Sequence, residues 1–269
     1  MTHIMQTPRL RSLRLFAIII LLIGMVGCAT TEQRTGPLNP EDPWEDTNRN
    51  IYAFNDALDR NVFIPVAEAY AFVVPQPVRT CINNIFLNLG EVWSFINSNL
   101  QGRHEDAINT FGRFMLNTTM GLGGCFDLAS SNGAPRISND FGTTLGVWGV
   151  EPGPFVVLPI IGASTVRDTG GRVVDLYVNQ VGWGQLVTNS DLRNSMYGLE
   201  LIDRRESLLD VTKTIDKTAI DRYSFIRDAY LQHRKALVRG TRGAQELPSY
   251  EDFQDAPADE KSLGIQKAK

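Results

Sequence analysis

The chain has 269 residues, 43% of them hydrophobic, with 26 Lys and Arg against 30 Asp and Glu and a formal net charge of -4. That length suits one domain or two small ones with ample surface to bury. The balance of charge offers no basic excess to support nucleic-acid binding.

Residues 1–14 carry Arg9, Arg11 and Arg14 and no acid, and Leu15 to Val26 is apolar throughout apart from Gly24. A positive start followed by a run shorter than the roughly 20 apolar residues of a bilayer span reads as a secretory signal over residues 1–27. Met25-Val26-Gly27-Cys28 resembles a bacterial lipobox, in which a small residue precedes a cysteine that is diacylated and becomes the new N-terminus. Met25 departs from the usual leucine, and ordinary cleavage leaving Cys28 an unmodified thiol is the alternative. Ala29, in place of an inner-membrane-retaining aspartate, resembles an outer-membrane address. Loss of residues 1–27 removes three arginines and leaves 23 basic and 30 acidic residues, or -7. Charge will not hold such a chain on anionic lipid. Acyl chains, at about 0.8 kcal/mol per buried methylene, would. Residues 28–41 are polar, with Gly36, Pro37 and Pro40, and read as a flexible tether.

Asp42-Pro43-Trp44-Glu45 predicts a helix start, with Asp42 as cap, Pro43 in the first turn and Glu45 completing a capping box. Ile51, Phe54 and Leu58 then recur on one face beside Asn48, Asn55 and Asp59. From 61 to 100 only Glu68, Arg79 and Glu91 are charged, and Pro65, Pro75 and Pro77 divide the segment. Val78, Ile82, Ile85, Leu89, Val92 and Ile96 form a helical seam. The other face carries Asn83, Asn84, Asn88, Asn97 and Asn99. A solvated helix face is usually charged. Asparagines suit a buried polar lining or a bilayer interface where full charge is costly. A helix sandwiched in a soluble bundle fits the same composition. Residues 103–119 predict another helix, with Ile108, Phe111, Met115 and Leu116 inward, ended by Gly121-Leu122-Gly123-Gly124.

Residues 127–140 are polar and turn-rich. From Phe141 to Ala163 only Glu151 is charged, while Gly142, Gly146, Gly149, Gly153, Gly162, Pro152, Pro154 and Pro159 forbid a long helix. Leu145, Trp148, Phe155, Val156, Val157, Leu158, Ile160 and Ile161 sit between them. Such a stretch must lie against something apolar, either the rest of the fold or lipid, and a turn-rich insertion on the core is the simpler reading. Strand alternation is scarce. A helix follows through Val173, Val174, Leu176, Tyr177 and Val181, closed by Gly182-Trp183-Gly184. From Glu200 to Lys235, 15 of 36 residues are charged, which predicts water-facing helices laced with ion pairs. Ile202, Leu208, Leu209, Val211 and Ile215 give one inner stripe, and Ile220, Tyr223, Ile226, Ala229 and Tyr230 a second. Residues 241–269 read as a polar, disordered tail. After Cys28 no run of about 18 apolar residues remains, so no ordinary transmembrane helix is expected.

Chemistry is thin. Of the three histidines one lies in the signal, and His104 and His233 are expected on the surface. No nucleophile elbow or phosphate loop is present. Asp168-Thr169-Gly170 copies an aspartic-protease tripeptide, but those enzymes need two facing carboxylates. Asp168 is expected as a cap or as a partner of Arg167 or Arg172. No catalytic residue, metal or cofactor is assigned.

Several ordered motifs carry a resemblance. Phe141-Gly-x-Thr-Leu-Gly146, then Gly149-Val150, Gly153-Pro154-Phe155, Leu158-Pro159, Gly162-x-Ser164 and Arg167-Asp168 are similar to the signature of the MlaA (VacJ) outer-membrane lipoproteins. Asp42-Pro43-Trp44-Glu45 with Asn48-Arg49, Val74-Pro75-Gln76-Pro77-Val78-Arg79, Leu100-Gln101-Gly102 and the run from Arg113-Phe114 to Gly123-Gly124 add to it, so that it spans about Asp42 to Val238. It implies a mainly α, single ring-like helical domain over 42–240. It also implies an amphipathic channel, placement in the inner leaflet of the outer membrane, phospholipid as cargo, a trimeric porin as holder and a soluble periplasmic lipid carrier as acceptor. Phe54, Asn55, Asn84, Asn88, Leu145, Trp148, Phe155 and Leu158 are the expected channel or lipid-contacting residues, with plain core packing the competing reading of each. Cys81 and Cys125 could pair in an oxidising compartment. They are not among the motifs that carry the resemblance, so free buried thiols are expected. A porin-bound scaffold that moves no lipid, and a phospholipid-acting hydrolase, are the alternatives. Fatty-acid labelling of cells tests the anchor: Cys28→Ala is expected to lose the label, and a labelled mutant would exclude lipidation at this cysteine.

Overall fold

A computed structural model describes residues 39–245. Cys28, the signal, most of the tether and the tail beyond Gln245 lie outside the described residues. Helix α1 spans Glu45–Leu58 and passes through a π-helical turn, Asp59–Phe63, into α2, Ile64–Val73. Pro75 stops α2, and Pro77 sits in the first turn of α3, Gln76–Leu100, where its missing N–H costs nothing. Gly102, at φ 70°, turns the chain into α4, His104–Thr119. A short α5, Leu128–Ser131, and α6, Phe141–Val147, follow, capped by the side chains of Asp127 and Asp140. Strands β1, Phe155–Leu158, and β2, Gly162–Thr165, form an antiparallel hairpin with Phe155 opposite Thr165. The strands emerge from a stretch in which strand alternation had looked scarce. They need only four residues each, because helices pack against them, α1 against β1 and two later helices against β2. β2 runs straight into α7, Val166–Leu186, which continues past the glycines expected to close it. Helices α8, Ser190–Ser207, α9, Leu209–Thr218, and α10, Arg222–Gln245 with a break at Gly240, complete the described chain.

Asp42 does not cap α1, whose first turn has no side-chain cap. Its carboxylate is fully buried and accepts from Asn48 (2.8 Å), Tyr223 (2.5 Å) and Arg227 (3.3 Å), so it joins the chain's front to α10. Two asparagines one heptad apart on α1 act on the open edge of the hairpin. Asn48 donates to Phe155 O (3.0 Å) and accepts from Val157 N (2.9 Å). Asn55 donates to Leu158 O (2.9 Å) and accepts from Ile160 N (2.7 Å). Each side-chain amide thus stands in for a neighbouring strand and removes the unpaired edge. The small apolar core sits here: Phe155, Val157, Tyr223 and Leu231, flanked by Ile51, Tyr52, Ala163 and Tyr230.

Helices α3 and α4 are an antiparallel pair. Their cross-links run in opposite directions along the two helices: Asn88 to Thr118 at 2.8 Å and Glu91 to Arg113 at 3.0 Å. That register brings Cys81, near the start of α3, against Cys125, just beyond α4, with Cα atoms 4.2 Å apart, and the two form a disulfide. The expectation of free thiols is therefore wrong. The hairpin register, invisible to a count of cysteines, closes the distance. Closing a loop with a sequence separation of 44 is worth about 4 kcal/mol in the chain-entropy account. Replacing both cysteines with serine should lower unfolding free energy by about 2–4 kcal/mol, and added reductant should take wild type to the same value in chemical unfolding.

Candidate functional site

The helices are turned inside out relative to a protein dissolved in water. α3 buries Asn88, Glu91, Ser94, Asn97 and Ser98, while Val78, Leu87, Val92, Ile96 and Leu100 are exposed. α4 buries Asp106, Ala107, Thr110, Arg113 and Asn117. Ile108, Phe111 and Met115, expected inward, point outward, and Ile108 is 72% exposed. Phe72 on α2 is 92% exposed, and Val173, Leu176 and Tyr177 form an outward row on α7. Leu208, Val211 and Ile220, also expected inward, are exposed, whereas Leu209 and Tyr223 of the same stripes are buried. Apolar side chains exposed in such continuous rows mark contact with lipid or with another protein. Among the described residues no helix is long and apolar enough to cross a membrane.

An interior of this kind holds together only if its polar groups find one another. Arg113, with no exposed side-chain surface, donates to Glu91 (3.0 Å), Asp127 (3.1 Å) and Ser130 (3.1 Å). Thr144 of α6 donates to Asn97 (2.7 Å) and accepts from Gln101 (3.0 Å). Arg234 of α10 reaches both Asp140 (2.6 Å) and Asp168 (2.9 Å), while Asp168 also accepts from Tyr230 (2.9 Å) and Arg167 (2.9 Å). Asp168 is thus a partner of Arg167, as the sequence suggested, inside a five-group cluster. Burial alone would push the Asp168 and Asp140 carboxyls up, but the hydrogen bonds and charge of Arg234 outweigh it and hold both below the ordinary range. At Glu91 burial wins over the arginines, and its carboxyl is pushed up.

The glycine-rich signature has a packing reason. A Cβ on Gly171 of α7 would sit 2.4 Å from Gly142 N, and one on Gly142 would sit 2.8 Å from Arg234 and 2.9 Å from Asp168. The two helices approach backbone to backbone so that the guanidinium can lie over α6. His104 and His233 are exposed, and among the described residues no group of three His, Cys, Asp or Glu side chains could hold a metal ion.

The residues picked out from sequence fall in three places. Asn55, Phe155 and Leu158 lie at the hairpin. Phe155 is only 1% exposed, while Phe54, on the same helix as Asn55, is about half exposed. Asn84 and Asn88 lie on α3 where it meets the end of α4 and the chain beyond, bonded to Cys125 O (3.0 Å) and Thr118 (2.8 Å). Leu145 and Trp148 belong to α6 and its C-terminus, and Trp148 donates to Leu100 O (2.9 Å). Two cavities divide them. One of about 350 Å³ lies between α1, the hairpin and α8–α10, and takes Asn55 and Phe155 into its wall. Another of about 370 Å³ lies beside the disulfide and takes Asn84. Phe54, Asn88, Leu145, Trp148 and Leu158 line neither. The sequence reading missed Tyr52, Asp56, Asp59, Arg205 and Arg222 around the first cavity. The dense charge of α8–α10 was a signal for the two arginines. Nothing local pointed to their partners on α1 and the π-helical turn after it, since Arg205 and Asp59 are 146 positions apart.

The model of the MlaA lipoprotein family matches residues 40–237. This chain belongs to the MlaA lipoprotein family. It is 35% identical over 249 residues to the Escherichia coli protein described as intermembrane phospholipid transport system lipoprotein MlaA, covering 90% of this chain and 96% of that one. The Haemophilus influenzae protein of the same description is 35% identical over 219 residues, covering 80% and 86%. A Rickettsia felis protein described only as uncharacterized is 33% identical over 205 residues, covering 76% and 80%. A solved structure described as giving the structural basis for maintenance of bacterial outer membrane lipid asymmetry superposes with a TM-score of 0.62 at 34% identity, over 73% of this chain and 98% of that one. The mainly helical, ring-like fold implied by the resemblance is the fold of that MlaA-family neighbour.

Asp168, whose side chain is 3% exposed, and to a lesser degree the 41% exposed Asp140 set an acid limit. Because Asp140 and Asp168 are depressed in the folded state, the stability they confer is complete above their unfolded pKa, about 3.9, and is lost as pH falls through the folded values. Denaturant unfolding below about pH 4 should therefore show a steep fall in stability. Asp168→Asn, which removes the shielded member of the pair, should flatten that fall.

Proposed function

We propose that this chain maintains outer-membrane lipid asymmetry by accepting phospholipids misplaced in the outer leaflet and passing them to a periplasmic carrier. The observation that carries the reading is the reversed burial of α3 and α4: asparagine, serine, threonine and a Glu–Arg pair inside, valine, isoleucine and phenylalanine outside. A body of this polarity suits a single leaflet, where its apolar rows replace acyl chains as neighbours and its polar interior offers a headgroup a path. Membership of a family whose relatives are described as phospholipid transport lipoproteins supports it. In this reading Cys28 carries the acyl anchor and the charged helices α8–α10 face the periplasm. A trimeric porin covers part of the apolar rows, and the residues around the two cavities contact lipid in transit. No bond is broken, and Asp168 serves the Arg234 cluster.

Deletion of the gene, followed by measurement of phospholipid in the outer leaflet, tests the reading. Surface phospholipid should rise severalfold and return on complementation. An unchanged surface would leave the scaffold alternative in its place.

A further inference from the structure

The polar side chains around the cavity between α1, the β-hairpin and α8–α10 are already engaged within the chain. Arg205 gives Nε and Nη2 to Asp59 at 2.6 and 2.8 Å, and Arg222 gives Nη1 to Asp56 at 2.8 Å. Two arginines thus face two carboxylates, and together they add no net charge to the wall. Asn55 spends both sides of its amide on Leu158 O and Ile160 N. The Thr212 hydroxyl donates to Leu208 O (2.9 Å), and the Tyr223 hydroxyl donates to Asp42. The Tyr52 hydroxyl and Arg205 Nη1 are buried, so nothing seated in the cavity reaches them. A guest therefore meets the ring and aliphatic surfaces of Phe155, Val157, Ala163, Ile215 and Ile226. Such a wall favours apolar contact and offers nothing to a charged group, which would give up its water for no partner.

We propose that this cavity holds one acyl tail of a glycerophospholipid and leaves the phosphate and headgroup outside. The seat rests on the lipid-transport reading, and it adds which end of the lipid the chain grips. An apolar cavity of about 150 Å³ takes benzene, so a volume near 350 Å³ takes a tail segment of roughly a dozen carbons. Leu208, on the wall and half exposed, marks where the tail leaves towards its glycerol. In the transport reading α8–α10 face the periplasm, so the cavity stands on the watery side of the molecule. A tail leaving the leaflet is wetted there, at a cost of about fourfold in partition for each methylene. A pocket that shields one tail reduces that cost at the step where the lipid departs. Recognition through a tail leaves the headgroup unread, so lipids with different headgroups share one seat.

The test uses the full chain in phosphatidylcholine nanodiscs with a trace of phosphatidylethanolamine carrying a photoreactive diazirine near the end of one tail. After illumination, labelled peptides are quantified by mass spectrometry, with the outer rows of α3 and α4 as the internal reference for bulk lipid. Label should appear on Val157, Ile215 and Ile226. Thr212→Trp fills the cavity from α9, and Ile215→Asn sets an amide against the tail. Each should cut label on Val157 and Ile226 about tenfold relative to the outer rows. Label confined to the outer rows overturns the seat and leaves the cavity to a protein side chain. So does cavity label that both variants leave unchanged. Exchanging the probe's headgroup from ethanolamine to glycerol should not change cavity label. That arm needs no variant, so it decides the matter if both variants unfold. A change of about tenfold with headgroup would put the charged end in the cavity and overturn the seat. Surface phospholipid in the deletion strain separates the two claims. A rise there with an unlabelled cavity sinks only the seat, whereas no rise with cavity label that both variants remove sinks only the transport reading.

Discussion

The structure depends on pairing buried polar groups with one another. Few large apolar side chains are buried among the described residues, so ordinary hydrophobic burial supplies a smaller share of the cohesion than usual. Hydrogen bonds and ion pairs take its place, and they are directional. Arg234 illustrates what that demands. It bridges Asp140 at the start of α6 and Asp168 in the first turn of α7, and it fits only because Gly142 and Gly171 let those helices touch. Removing one member of such a cluster leaves a buried charge without its counter-charge, which costs more than the contact contributed.

The same logic fixes the hairpin. Four-residue strands are too short to be stable alone in water. Asn48 and Asn55 complete the hydrogen bonding of β1, and Asp42 holds the amide of Asn48 in position while accepting from Tyr223 and Arg227. One small carboxylate therefore aligns the start of α1, the outer strand and α10. These are also elements that enclose the cavity carrying Tyr52 and Arg205.

Much of the helical layout could be read from the residues, because proline and glycine stop helices by sterics that act locally. Pro75 and Pro77 bracket the start of α3, and the glycines after Thr119 end α4. The facing of those helices was harder. An inward assignment for Ile108, Phe111 and Met115 assumes that apolar means away from the surface, and on α4 that assumption fails, since all three are exposed. The asparagine row on α3 was the warning that the rule was reversed: Asn88 and Asn97 of that row are buried, together with Glu91, Ser94 and Ser98. Long-range partners were beyond reach. Asn48 meets Phe155 across 107 positions, and the Cys81–Cys125 bond needs the register of a whole helical hairpin. The cavity followed the same pattern: its arginines lay in a segment already notable for charge, but only the folded chain shows that Asp56 and Asp59 neutralise them.

Reversed burial also changes which substitutions the chain can absorb. In a water-soluble domain, drift collects on the outside among polar side chains, and the inside tolerates little beyond one aliphatic for another. Here the outer rows ask only for greasiness, so Val78, Ile96 or Ile108 can be exchanged among aliphatics with small effect. The inner positions each ask for a particular donor or acceptor at a particular height. Asparagine at 88 or threonine at 144 has no near-synonym, and a mutational scan scored by hydropathy alone would rank the two faces in the wrong order.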